Sequence, residues 1–152
     1  MKKIINETEI IFPAIGENEV LARSVVGAFC IQTDPTLEEL SDVRTAVSEA
    51  VTNAIVHGYK DNGKGKVVLK MKLYDDDTLK ITVSDKGCGI ENIPLAMTPL
   101  YSSDTSGERG GMGFSIMESF MDDLKVVSIV GKGTKITMVK RFSLHNEEEN
   151  NG

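Results

Sequence analysis

The sequence has 152 residues, a net charge of −6 and a pI near 5.0, with 40% hydrophobic and 26% charged residues. This length and composition suit one soluble domain with a sizeable core, and no apolar run approaches the roughly 20 residues of a membrane helix. The amino terminus lacks the apolar core of a signal peptide, so we expect a cytoplasmic protein with no membrane partner. No basic stripe is visible, which predicts no direct binding of nucleic acid.

The first half of the chain predicts one strand and two helices. A strand is expected over 4–12, and apolar residues near helical spacing predict a helix over 17–31. Thr36, with Glu39 three residues further on, forms a capping-box signature for a second helix. Its apolar positions repeat with a period near 3.6 as far as Gly58, a typical helix terminator.

The second half predicts two hairpins on either side of a long loop. Alternating apolar residues indicate the strands. Residues 85–113 are rich in Gly, Pro and Ser and show little periodicity, and a loop of this length in a compact domain is usually functional or mobile. The expected elements are strands at 67–73 and 79–83, a helix at 114–124, and strands at 126–130 and 134–142.

The order of these elements indicates an α+β fold. We expect a two-layer sandwich, in which a mixed, mainly antiparallel sheet carries helices on one face. The strand, Gly-rich turn and helix of a P-loop or Rossmann unit are not seen. Neither a repeat nor a linker divides the chain, so we predict a single domain over residues 1–143 and a polar, disordered tail over 144–152.

Three polar residues interrupt the apolar pattern of the second helix. Glu49, Asn53 and His57 fall at i, i+4 and i+8, so they share one helical face. Amide and carboxylate oxygens suit Mg²⁺, which keeps several of its waters when bound. A carboxylate one turn away can orient or deprotonate a nucleophile. Taken alone, the pattern also fits a solvated polar stripe.

A second motif, with the pattern DxGxG, directly follows a predicted strand. Asp85 at the strand end can accept a hydrogen bond from an exocyclic amine such as that of adenine. Gly87 and Gly89 would let the backbone approach a flat ring closely. An ordinary Asp-Gly turn gives the same pattern.

Two further Gly-rich segments follow. Gly107, Gly111 and Gly113 precede a predicted helix, where backbone N–H groups and the helix dipole favour phosphate. Arg109 lies among them and can add positive charge near a terminal phosphate. In the last hairpin, a Gly-x-Gly-Thr turn supplies Thr134, whose hydroxyl can support a base or its bound water. A hinge loop and a plain hairpin turn are the alternatives.

The order and spacing of these four motifs over residues 36–140 resemble the GHKL superfamily, which includes gyrase and the histidine kinases. The resemblance implies a Bergerat-type pocket for ATP and Mg²⁺, with Glu49 as general base for an incoming hydroxyl. It also implies a set of binding roles. Asn53 would bind Mg²⁺. The adenine would be bound by Asp85, Gly87, Gly89 and Thr134, and the phosphates by Gly107, Gly111 and Gly113. Arg109 would bind the γ-phosphate or a docked substrate.

Residues 48–59 and 111–123 are similar to the anti-sigma serine kinases, in particular the sigma F type of endospore-forming bacteria. This resemblance implies a homodimeric, ATP-dependent protein serine kinase. Such a protein binds and inhibits a sporulation sigma factor and phosphorylates a serine of its anti-anti-sigma antagonist. Arg23 matches a position where partners dock in this family.

Two alternatives remain open at this stage. One is a switch kinase of the stress-response sigma B type, whose motifs overlap heavily with these. The other is an ATP-dependent sigma-sequestering module with little kinase activity, although Glu49 favours the kinase because sequestration needs no base. A histidine kinase is disfavoured, since no helical hairpin with a phosphoacceptor histidine precedes the ATP-binding motifs.

Overall fold

The structure, a computed structural model, describes residues 2–98 and 112–142. Its elements follow the expected order, with one additional short helix. They are β1 (Ile4–Pro13), α1 (Glu17–Cys30), a 3₁₀ turn (Ile31–Thr33), α2 (Leu37–Thr52), a π-helical segment (Asn53–Gly58), β2 (Lys66–Tyr74), β3 (Thr78–Asp85), α3 (Ile93–Ala96), α4 (Gly113–Phe120), β4 (Asp123–Ile129) and β5 (Gly133–Arg141).

The five strands form one sheet in the order β1-β2-β3-β5-β4. All pairings among these described strands are antiparallel. Helices α1 and α4 both pack on α2, which joins them to the inner face of the sheet in one hydrophobic core. The α+β prediction is therefore confirmed, with a sheet that is antiparallel wherever it is described.

Alternation along the strands separates a buried face from an outward-facing one. Leu69, Met71, Ile81 and Met138 are fully buried on the inner face. Helical residues with the predicted 3.6-residue spacing cover them, including Val47 of α2. Apolar burial of this kind stabilises the fold by roughly 25 cal/mol per Å².

The second helix begins and ends in two different ways. At its start, Thr36 accepts from Glu39 N at 3.0 Å while the Glu39 side chain accepts from Thr36 N at 2.9 Å, which confirms the capping box. At its end, the helix widens into a π segment in which Tyr59 N donates to Ala54 O at 3.0 Å. Such wide turns are rare and often lie at functional sites. The periodic pattern gave no sign of this one.

Two expectations about the second half are wrong in detail. The helix expected to run to residue 124 ends at Phe120, because Met121 adopts extended backbone (φ −109°, ψ 158°) while burying its side chain. The long loop contains α3, whose N-cap Asn92 accepts from Leu95 N at 3.1 Å. Within the described ranges, no helix has the length and apolarity needed to cross a membrane.

Candidate functional site

Asp85 is the last residue of β3 and is only 9% exposed. Burial raises the pKa of its carboxyl, against the opposing effect of backbone hydrogen bonds from Gly87 and Thr134. Gly87 N donates to Asp85 Oδ1 at 2.8 Å. A partly desolvated carboxyl at a strand end is thus held in place by the turn that follows it.

The glycines after Asp85 are required by tight backbone packing. Cys88 N donates to Gly58 O at 2.8 Å, which ties the turn to the end of the π segment. A methyl group at Gly87 would lie 2.1 Å from Gly58 O. At Gly89, where φ is +78°, it would lie 2.5 Å from Ile129 O. The fold itself therefore accounts for both glycines, whatever ligand they also approach.

Thr134 lies directly opposite Asp85 on the neighbouring strand and is 5% exposed. The strands approach closely because Gly133 has φ +130° and no side chain; a methyl group there would lie 2.1 Å from Asp85 O. Two residues that are 49 positions apart in sequence thus form one buried polar pair. The structure brings together the two side chains expected at a base.

Sequence reasoning missed two residues that support this end of the site. Tyr59 Oη donates to Lys66 O at 2.7 Å and accepts from Lys86 N at 2.6 Å. Ser128 Oγ accepts from Ile90 N at 2.7 Å and lies 2.8 Å from Thr134 Oγ1. A lone serine in a strand carries no sequence signal, because its importance comes from the register that sets it beside Thr134.

On the helical side, Glu49 and Gly113 are neighbours. A methyl group at Gly113, the first residue of α4, would lie 3.3 Å from Glu49 Oε2. The Glu49 carboxylate is half-buried where α2 packs on α4. Asn53 follows one turn later, half-buried at the start of the π segment.

The far end of the π segment meets the strand end. A methyl group at Gly58 would lie 3.0 Å from Asp85 Oδ1. The helix that carries Glu49 and Asn53 therefore leads directly to the Asp85–Thr134 pair. A cavity of about 650 Å³ lies beside this junction, lined by His57, Cys88, Gly89, Ile90, Leu95 and Val130 among others.

Arg23 is set apart from these residues, at the contact between α1 and α2. The Arg23 Nε atom lies 2.9 Å from Glu19 Oε1 and forms an ion pair with it, although the geometry of this contact is not that of a hydrogen bond. The Arg23 Nη2 atom donates a hydrogen bond to Glu19 Oε2 at 3.4 Å. Ser48 Oγ donates to the same Glu19 carboxylate. The expected docking residue is thus connected to the position next to Glu49.

Three expected site residues, Gly107, Arg109 and Gly111, lie outside the described residues. The others lie in separate places along one helix. Glu49 and Gly113 are neighbours where α2 meets α4, and Asp85, Gly87, Gly89 and Thr134 lie around the strand end beside the far end of the π segment. Asn53 lies on the helix between these two places, whereas Arg23 lies at the contact between α1 and α2.

Comparison with known proteins identifies the class to which this arrangement belongs. Residues 12–140 match the family model described as the histidine kinase-like ATPase domain. The catalytic domain of the histidine kinase ThkA superimposes with a TM-score of 0.56 at 13% identity, covering 91% of this chain and 97% of that one. The RsbU and RsbW domains of a Mycobacterium tuberculosis protein give 0.66 at 20% identity, over 90% of this chain and 32% of that chain. At these identities the structural matches show the fold alone.

The chain belongs to the histidine kinase-like ATPase family, and within it to the anti-sigma F factors. It is 56% identical to the anti-sigma F factor of Clostridium acetobutylicum over 91% of this chain and 96% of the relative. The corresponding protein of Clostridium perfringens is 51% identical over 91% and 98%. That of Lysinibacillus sphaericus is 49% identical over 90% and 93%. The chain is thus an anti-sigma factor with an ATP-binding, kinase-like domain.

Proposed function

We propose that this chain binds and inhibits a sporulation sigma factor of the sigma F type. In the same proposal, it uses ATP to phosphorylate a serine of the anti-anti-sigma antagonist. Support comes from the names of relatives that match nearly its whole length. The observation that carries the kinase part is the half-buried carboxylate of Glu49, next to the first residue of α4. Sequestration of a sigma factor alone would need no such group.

The residues around the strand end fit an adenine ring. Asp85 is a buried acceptor that can take a hydrogen bond from the exocyclic amine, and Thr134 can support the ring or a bridging water. The turn containing Gly87 and Gly89 would line the base. Gly107, Gly111 and Gly113 would lie against the phosphates, where a helix N-terminus favours the anion.

Asn53 fits a magnesium role because its amide oxygen is a hard donor on the face that carries Glu49. In the described ranges there is no group of three or more His, Cys, Asp or Glu side chains suited to a metal. The donor set instead suits an ion held largely by phosphate oxygens and water, with Asn53 as the protein ligand. When bound, Mg²⁺–ATP supplies the γ-phosphoryl group and neutralises charge on it.

Glu49 would then act on the substrate hydroxyl. Its carboxylate would orient the incoming serine and accept the hydroxyl proton as the serine oxygen bonds to the γ-phosphorus, while the bond from that phosphorus to the β–γ bridging oxygen breaks and ADP leaves. Phosphoryl transfer needs mainly positioning and charge neutralisation, so one base and one cation complete the set. Arg109 is the proposed cation, close to the γ-phosphate or to the docked antagonist.

Partner binding completes the proposal. Arg23 would dock the sigma factor or the antagonist, and its connection to Ser48 through Glu19 lies next to the proposed base. We also propose that the protein acts as a homodimer, as the resemblance to the anti-sigma kinases implies. A switch kinase of the sigma B type, or a sequestering module with little kinase activity, would use the same ATP pocket.

The test is Glu49→Gln, which keeps the size of the side chain and removes the base. We expect phosphoryl transfer to the antagonist to fall by about 10²–10⁴-fold, the usual contribution of general-base catalysis. ATP affinity should stay within about twofold, because glutamine keeps the size of the side chain and one of its hydrogen-bond-accepting oxygens. Glu38→Gln, on the exposed first turn of the same helix, is the matched control. Transfer by Glu49→Gln at the wild-type rate would refute the assignment.

A further inference from the structure

Lys140 is a largely buried cation near the end of β5 that lies away from the candidate site. Alternation along the strand puts it on the inner face with Ile136 and Met138, and its side chain is 13% exposed. Thr134, which belongs to the candidate site, lies at the other end of the same strand. A charged group that is withdrawn from water in this way is costly unless it is paired and hydrogen-bonded.

Two partners hold the Lys140 ammonium group. It donates a hydrogen bond to Phe120 O, the carbonyl of the last residue of α4, at 2.9 Å. It also lies 3.9 Å from Asp42 Oδ2 of α2. The last four carbonyls of a helix have no partner within it, so the bond satisfies one of them and the cation complements the helix dipole. One side chain of the sheet thus joins α4 to α2.

Helix α4 is otherwise held mainly by apolar packing on α2, through the buried side chains of Phe114 and Met117. Apolar contacts are non-directional, whereas a hydrogen bond from a charged group is strong and directional. Just beyond the helix, Asp122 N donates to Val139 O at 2.8 Å, so the chain is tied to β5 at this same end. Lys140 therefore fixes how far α4 extends along α2.

The opposite end of α4 lies against the proposed catalytic base. Gly113 is its first residue, and a methyl group there would lie 3.3 Å from Glu49 Oε2. Met112, at the N-cap, makes no capping hydrogen bond with its side chain. In the proposed function, the backbone N–H groups of this end face phosphate. A helix of eight residues is about 12 Å long and moves as one unit, so an anchor at Phe120 sets the position of Gly113.

We propose that Lys140 is a positioning residue for the phosphates of ATP: it anchors one end of α4 so that the other end holds the phosphates beside Glu49. The inference rests on the proposed function, because it concerns the same ATP site. Lys140 acts from the far end of the helix and does not contact the nucleotide itself. Asp85 and Thr134, the residues proposed to bind adenine, are fixed by the pairing of β3 with β5. Loss of the anchor should therefore affect the phosphates and spare the base.

The test compares ATP with adenosine, which lacks the phosphates. Calorimetric titration of the full chain with Mg²⁺–ATP and, separately, with adenosine gives two dissociation constants. We expect Lys140→Met to raise the constant for ATP by about tenfold and to leave that for adenosine within about twofold. Lys140→Arg keeps a cation that can donate to Phe120 O, so it should bind ATP within about twofold of the wild type.

Two further variants complete the design. Lys140→Gln has an amide too short to reach Phe120 O, so it should lose ATP affinity selectively as well, and it remains informative if the methionine variant does not fold. Arg44→Met removes an exposed positive charge from α2, closer in sequence to Glu49 than Asp42 is. It controls for a general effect of charge and should change neither constant by more than about twofold, because exposed charges are screened.

Three outcomes would count against the anchor. Constants for ATP and adenosine that both stay unchanged, or that rise by the same factor, in the Lys140 variants would overturn the proposal, because Lys140 would then have at most a structural role. A loss with Arg44→Met as large as that with Lys140→Met would also overturn it. A wild-type chain that binds ATP no more tightly than adenosine would instead refute the proposed phosphate site, and this inference with it.

Discussion

Gly87→Ala tests the contact that joins the π segment to the turn after Asp85. The new methyl group would lie 2.1 Å from Gly58 O and 2.4 Å from its carbonyl carbon. Both atoms belong to backbone, so rotation of a side chain cannot relieve the clash. The turn must move, and the 2.8 Å hydrogen bond from Cys88 N to Gly58 O is lost.

The expected loss of stability follows from these two effects. Overpacking costs about 1–3 kcal/mol and a lost hydrogen bond about 1 kcal/mol, so the free energy of unfolding should fall by about 2–4 kcal/mol. ATP affinity should fall as well, because Gly87 N also holds Asp85 Oδ1. Urea denaturation of the nucleotide-free protein measures the first effect and equilibrium nucleotide binding the second.

Gly27→Ala in α1 is the control for Gly87→Ala. Its methyl group would meet only the Arg44 side chain, at 3.5 Å. Alanine is favoured over glycine within a helix by about 0.5–1 kcal/mol, so this variant should be as stable as the wild type or more so. A Gly87→Ala protein within about 0.5 kcal/mol of the wild type would refute the packing argument.

Three further predictions follow from single residues. Burial raises the pKa of Asp85, so its contribution to stability is present in acid and is lost as pH rises through the raised value. Asp85→Asn should therefore stabilise the nucleotide-free protein at pH 7 relative to the wild type while abolishing ATP binding; urea denaturation across pH that showed no such gain would contradict this. Burial raises the pKa of the Cys30 thiol to about 12, whereas Cys88 is exposed, so iodoacetamide followed by mass spectrometry should label Cys88 alone, more slowly with Mg²⁺–ATP. Thr36→Ala should lower the free energy of unfolding by about 1 kcal/mol and Thr36→Ser by much less, since only the serine keeps the cap; equal losses in urea denaturation would show that the hydroxyl is not the cause.

Local signals predicted most of the fold. The capping box of Thr36 and Glu39 marked the start of α2, and alternating apolar residues marked β2 and β3. These features depend on near neighbours in sequence, which is why they could be read from it. Asp85 at a strand end was predicted for the same reason.

The features that the sequence did not reveal depend on distant contacts. The π segment begins inside an apolar pattern that continues without a break, because Ala54 and Ile55 are buried as α-helical residues would be. Met121 is likewise buried, so the apolar pattern of α4 extends beyond its last helical residue. Tertiary packing therefore determines where the α-helical part of α2 ends and where α4 ends.

The candidate site likewise contains some features that the sequence predicted and others that it did not. Motif order predicted that Asp85 and Thr134 serve one ligand, and their cross-strand pairing brings them together. The support from Tyr59 and Ser128 depends on hydrogen bonds to distant backbone and could not be predicted.

The central claim is phosphoryl transfer from ATP to a serine of an antagonist protein. Incubation of the purified chain with γ-labelled ATP and candidate anti-anti-sigma proteins, followed by identification of the labelled residue, tests it most directly. We predict label on one serine of the antagonist with the wild-type chain and almost none with Glu49→Gln. Label on a histidine, or no transfer to any antagonist that binds the chain, would contradict the account.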